Sequence, residues 1–212
     1  LVRGIDEGVR FDHTRSAPAP CIDATCHVIL MLEYEENWSA QLGGGSSALA
    51  AQAPKLRRLV RDEMYDAQRR WFLDPWLIGA PDSPAVTFEG IWALVAGAAT
   101  PEQAAEAIDG SLLDGDRLGT AHPVATVERR HSAFELRCWR GPAWNSMTYW
   151  AALGCRRYGR GDAARTLLER ALDMTAAQFE RTGTVWEFYH PDGGEQTSLQ
   201  RKRSQKQNTP ST

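Results

Sequence analysis

Apolar residues recur at intervals of three and four along most of this chain, and that spacing commits it to helix. Within 22–42 the series is Ile22, Cys26, Ile29, Leu30, Tyr34, Trp38 and Leu42, broken by Gly43-Gly44-Gly45-Ser46-Ser47. Within 56–71 it is Leu56, Leu59, Val60, Met64, Ala67 and Trp71, ending before Asp74-Pro75. Residues 88–99 form a short apolar helix, and Thr100-Pro101-Glu102-Gln103 is a capping box with proline at the first helical position. The helix it opens carries Ala104, Ala107, Ile108 and Leu112. Pro142 is expected to start a helix that Gly159 stops. A last one over 162–182 turns Leu167, Leu168, Ala171, Leu172, Thr175 and Phe179 inward and stops at Gly183.

Six helices with almost no strand signal predict an all-α fold. Each helix pair has an apolar face that only a neighbour can bury, so the expected architecture is a toroid of helical hairpins. Three long segments, 1–21, 115–141 and 183–200, alternate with the helices and are expected to open on one face. With 212 residues and 42% hydrophobic content, the chain suits one buried domain. Residues 1–200 are read as that domain, and 201–212 as a basic polar tail, in a loop or disordered.

A net charge of -3 gives no field to attract nucleic acid or an anionic membrane, and no run approaches a membrane span. Cys21, Cys26, Cys138 and Cys155 have no zinc or disulfide-scaffold spacing and read as small core residues in a reducing compartment, placing the protein in the cytoplasm. His13, His27, His122, His131 and His190 are scattered, so no metal site is expected and no cofactor is implied. The glycine run follows no strand and carries no G-K-[ST], so it is a turn rather than a phosphate cradle.

The chemistry concentrates in three places. Cys138-Trp139-Arg140-Gly141-Pro142-Ala143-Trp144 sets two indoles and a guanidinium around a break, the make-up of a sugar-binding wall. Trp186-Glu187-Phe188-Tyr189-His190-Pro191 puts a carboxylate among aromatics just past a helix stop, and Gly4-Ile5-Asp6 puts another in a loop. Taken together, these segments resemble glycoside hydrolase family 63 and the mannosylglycerate hydrolases, whose motifs run S-G-x-D-x-S-P-R, Y-W-R-G-P-x-W and W-E-x-Y-x-P. Here Arg3 stands for the Ser, Gly8-Val9 for Ser-Pro, and Cys138 for the Tyr.

The resemblance implies an (α/α)6 barrel, of which this chain would supply about half, the N-terminal part preceding it. It also implies an inverting glycosidase acting on an α-glucoside or α-mannoside of oligosaccharide or glycosylglycerate type, with Asp6 as general acid and Glu187 as general base. Such a pair works across a gap of about 6.5–9.5 Å that admits a water. Arg10, Phe11, Trp139, Arg140, Trp144 and Tyr189 are the candidate substrate-binding residues, with Arg140 either clamping a carboxylate or donating to a sugar hydroxyl. Rival readings are a sugar epimerase on the same barrel type, using His122 and His190, and a non-catalytic helical carbohydrate-binding scaffold. An incomplete toroid is expected to leave apolar helix faces exposed.

Overall fold

The computed structural model describes residues 8–12, 20–44, 50–80 and 84–201. Helix dominates them: α1 (Ile22–Gln41), α2 (Ala53–Glu63), α3 (Ile91–Val95), α4 (Pro101–Ala107), α5 (Asn145–Arg157) and α6 (Gly161–Thr182). One antiparallel pair, β1 (Tyr65–Asp66) and β2 (Trp71–Phe72), lies between α2 and α3.

Local signals fixed several of these boundaries. Thr100 Oγ1 accepts from the Gln103 amide at 3.1 Å and Gln103 Oε1 from the Thr100 amide at 3.0 Å, the reciprocal cap the sequence predicts. Beyond α4 the chain widens into a π turn, Ile108–Leu112, and Ala104, Ala107, Ile108 and Leu112 are all fully buried. At the end of α6, Gly183 takes φ 70° and its amide donates to the Phe179 carbonyl at 2.7 Å, a left-handed stop open to glycine.

Three helices differ from their expected extent. The one expected over 88–99 is cut to Ile91–Val95, entered through a 3₁₀ turn at Phe88–Gly90. The 56–71 series is not one helix: α2 stops at Glu63, and the Asp66 carboxylate takes the amide of Arg69 at 2.9 Å to turn the chain back. Met64 and Trp71 are still fully buried, because the hairpin returns Trp71 to the same core. Nor does Pro142 open a helix. Ala143 exchanges both backbone hydrogen bonds with Tyr189, at 3.0 and 2.8 Å, so the chain stays extended to Trp144 and α5 starts at Asn145.

Every residue of α3 is buried, and α3 packs on both α1 and α5. In turn α2 lies against α1, and α6 against α5. The result is two layers, with α1, α3 and α5 side by side in one of them. An open apolar groove of about 560 Å³ runs along that layer between Leu30, Met31, Tyr34, Trp92, Val95 and Trp150. On α6 only the narrow stripe of Ala163, Ala164, Leu167, Ala171 and Gln178 is buried; Leu168, Leu172 and Phe179, expected inward, are exposed. Tyr34 and Trp38 on α1, and Leu42 just past its end, are exposed as well. A helix with a neighbour on one side buries one stripe, and among the described residues α6 packs mainly on α5.

The N-terminal ends of α1, α3 and α5 are tied together. Asp74, ahead of α3, accepts from the Ile22 amide that opens α1 at 2.8 Å. Phe88 donates its amide to the Thr126 carbonyl at 3.2 Å, linking the approach to α3 with the long segment before α5. The described parts of the three segments meet there: Arg140 pairs with Asp12, and the Ala143 and Tyr189 bridge links the chain before α5 to the segment after α6.

Candidate active site

Asp6, His13, residues 45–49 of the glycine run and its sequel, and the tail after Arg201 lie outside the described residues. The remaining candidates sit around the converging loops.

Glu187 stands on the segment between the Gly183 stop and the Tyr189 bridge. On it Phe188 and Tyr189 are 1% exposed, whereas Glu187 points outward and pairs with Arg201. Tyr189 faces the core, stacked on His122 at 4.5 Å, and its hydroxyl accepts from the Trp186 amide at 3.2 Å. Instead of lining a surface for substrate, it holds the backbone that presents Glu187.

Trp139 and Trp144 do come together. Their rings stack 3.8 Å apart and 5° from parallel, Phe88 stacks on Trp139 at 5.2 Å, and Phe188 leans on Trp144 at 5.1 Å. The indoles thus spend their faces on one another and on two phenyl rings, which corrects the expectation of open stacking walls; both stay half-buried, with edges accessible. Trp144 Nε1 donates to the Cys138 carbonyl at 3.1 Å. Cys138 itself takes φ 37°, a left-handed value rare outside glycine, and its amide donates to the Gln200 carbonyl at 2.9 Å. That kink aims Trp139 and Arg140 to their places.

Arg140 is 6% exposed and clamps carboxylates, as one of its two expected roles required: Nη1 and Nη2 donate to Asp12 at 3.0 and 2.6 Å, and Nε to Glu135 at 2.7 Å. This bidentate fork bolts the first of the three long segments to the second. Gly141 follows because space allows nothing larger: a Cβ there would strike the Glu135 carbonyl and come within 2.8 Å of the Phe134 ring. Gly141→Ala is expected to cost about 1–3 kcal/mol, seen as a lowered urea midpoint. An unchanged midpoint would mean that this turn yields freely.

Arg10 is 4% exposed and is surrounded by acids. Its Nε lies 2.8 Å from Asp74, Nη2 2.9 Å from Asp23, and Nη1 3.5 Å from Glu89. Phe11 lies over this group, its ring 4.9 Å from the Arg10 guanidinium and 6.3 Å from Trp76. Burial pushes Asp74 up to about 7 against the pull of Arg10, and burial likewise raises Glu89, whose Oε2 has no hydrogen-bond partner among the described residues. Among the described residues one guanidinium faces two buried carboxylates and a third that is partly exposed, and burial raises both buried acids.

A stability trend follows from the raised Asp74. A carboxyl bound more tightly to its proton when folded contributes stability that is full below the unfolded range near pH 4 and lost as pH rises through about 7. His122 acts oppositely: burial lowers it to about 4, so its contribution is present above its unfolded value near 6.5 and lost on acidification. Comparing urea midpoints of wild type and Asp74→Asn from pH 4 to 7 isolates the first term. The variant is expected to gain on wild type as pH rises; a constant difference would contradict the raised Asp74.

His122 is fully buried, with Nε2 2.8 Å from Asn145 Oδ1. His190 is half-buried, and its Nδ1 accepts from the Asp192 amide at 3.1 Å. Both are structural in these surroundings, which gives the epimerase reading no support. Burial pushes up the thiols of Cys26 and Cys155, consistent with core roles, while Cys21 is half-exposed. No described helix is long and apolar enough to cross a membrane. Sequence reasoning missed Asp12, Glu89, Phe88, Phe188 and Arg201; each acts through a partner remote in the chain.

The arrangement of helical hairpins with loops gathered at one end is that of known glycosidase folds. The structure matches the GH63 mannosylglycerate hydrolase of Thermus thermophilus in complex with Tris and D-glycerate (TM-score 0.67, 20% identity, covering 84% of this chain and 42% of that one). It also matches neutral trehalase Nth1 from Saccharomyces cerevisiae (TM-score 0.68, 22% identity, 88% of this chain and 36% of that one). Residues 36–208 match the mannosylglycerate hydrolase MGH1-like glycoside hydrolase domain, and the chain belongs to that family. The mannosylglycerate hydrolase of Rubrobacter radiotolerans is 27% identical over 157 residues, 72% of this chain. The chain spans about a third of that relative's length, 34%.

Proposed function

We propose that the full-length protein is an inverting glycosidase that hydrolyses an α-mannosidic or α-glucosidic bond in a substrate of the glycosylglycerate type. The observation that carries this reading is the presentation of Glu187, outward on a segment pinned to the Trp-Arg-Gly-Pro loop by the Ala143 and Tyr189 bridge. Relatives named mannosylglycerate hydrolase, and a neighbour that binds D-glycerate, support the substrate class. Asp6 protonates the leaving oxygen and Glu187 draws the proton from the attacking water. Phe11 and the edges of Trp139 and Trp144 shape the sugar site. Arg140 fixes Asp12 on the loop that also carries Asp6, while Arg10 and Tyr189 hold the loops from behind.

We further propose that α1, α3 and α5 are inner helices of an (α/α)6 toroid, with the 560 Å³ groove facing its axis and the exposed faces of α1 and α6 meeting the rest of the barrel. The free cysteines suit a reducing compartment, and the cytoplasm is the proposed location. The test is turnover of mannosylglycerate, glucosylglycerate and simple α-mannosides and α-glucosides by the full-length protein, with the first-formed anomer followed by NMR. Release of the inverted anomer is expected. A retained anomer would refute the mechanism, and no turnover by the folded protein would refute the hydrolase reading.

A further inference from the structure

Away from the aromatic row, a polar recess of about 310 Å³ is lined by Gln68, Arg69, Arg70, Gly110, Asp114, Arg117 and Arg130. Among the described residues four guanidinium groups share it with one carboxylate, Asp114, on its wall. The fixed ones are built in: Arg117 Nη1 donates to the carbonyls of Arg69 (2.8 Å) and Gly110 (3.2 Å) and to Ser111 Oγ (2.7 Å), and Arg69 donates to the Pro84 carbonyl at 3.1 Å and to Asp66 at 2.8 Å. The nearby acids are already engaged. Glu128 is shared between Arg117 at 3.7 Å and Arg130 at 3.4 Å while accepting the Val86 amide, and Asp114 accepts the Asp116 amide. Burial lowers Arg117, Glu128 counteracts that, and the like charges of Arg130 and Arg70 add to the lowering.

Two backbone irregularities frame the recess. Arg70, at the tip of the β1–β2 hairpin, sits at φ 53°, and Gly110 lies in the π turn after α4. A non-glycine residue held in the left-handed region costs stability that a side-chain task can justify, and π turns concentrate at functional sites. We propose that this recess binds a tetrahedral oxyanion, a phosphate group either free or carried on a sugar, between Arg70, Arg117 and Arg130. Arg guanidinium forks match such oxygens in pairs, and the anion relieves the crowding of like charge. The site is independent of the hydrolytic reading.

Thermal unfolding of the full-length protein in inorganic phosphate, in a hexose 6-phosphate, and in chloride at matched ionic strength tests this. Phosphate in either form is expected to raise the midpoint by about 3 °C at ten times its Kd, and logarithmically with concentration above that. Arg130→Gln is expected to weaken binding about tenfold, loss of one charge-assisted contact. Arg70→Gly is the sharper variant: it removes the strained φ, so its midpoint without phosphate is expected to hold or rise, while phosphate affinity falls. Tighter binding of the hexose phosphate would identify a sugar phosphate as ligand; equal binding would identify phosphate itself. No rise beyond that in chloride, or unchanged affinity in both variants, overturns the proposal.

Discussion

Glu187→Gln in the full-length protein is expected to lower kcat by about 10²–10⁴-fold while leaving the unfolding free energy from urea titration within about 0.5 kcal/mol of wild type. The two expectations separate because of where Glu187 sits. Its neighbours Phe188 and Tyr189 supply the buried contacts of the segment, and among the described residues the Glu187 side chain, 37% exposed, adds an ion pair with Arg201. Exposed pairs are worth little to folding. Glutamine keeps the size and the hydrogen-bond acceptor but takes no proton from water, so the chemical step alone suffers. Affinity for a non-hydrolysed glycerate analogue is expected to persist. Wild-type rates in Glu187→Gln would remove the general-base role, and a collapse of stability in step with activity would make Glu187 a structural residue.

How much of this was legible depended on whether the determining partner was close in sequence. The Thr100 and Gln103 cap and the Gly183 stop are complete within one turn of chain, and both appear where the sequence put them. Pro142 carried an equally clear helix-start signal, but Ala143 is claimed by Tyr189, 46 residues later, and the helix begins at Asn145. Met64 and Trp71 share a helical spacing, yet a hairpin satisfies the same burial, because periodicity records which residues are inside and not the path between them. The site shows the same division. The Trp-Arg-Gly-Pro and Trp-Glu segments were recognisable as chemistry. That Trp139 and Trp144 would stack face to face, and that Arg140 would be held by Asp12, are long-range outcomes without a local signature.

Arg10 is the clearest instance, and its replacement is expected to have the largest effect on stability. Its partners lie at the start of α1, ahead of α3 and in the turn leading into α3, so one guanidinium joins three elements. Arg10→Met keeps most of the packed stem and removes the charge, leaving Asp23, Asp74 and Glu89 against an apolar side chain. Stranding buried carboxylates in this way costs about 3–5 kcal/mol, a large share of the 5–15 kcal/mol typical of a domain, and corresponds to a Tm lower by about 6–20 °C. The loss is expected to depend on pH with a definite sign. Because burial raises Asp74 and Glu89, acidification lets them take up protons and needs no counter-charge, so the difference between wild type and variant should shrink from pH 8 toward pH 5. Glu89→Gln provides the contrast: an amide replaces an acid already inclined to be neutral, and its cost is expected to stay within about 1 kcal/mol. Equal losses for Arg10→Met and Glu89→Gln, or a loss that ignores pH, would show that Arg10 stabilises by packing alone. If the electrostatic account holds, Arg10→Lys, which keeps the charge, should recover part of the lost stability.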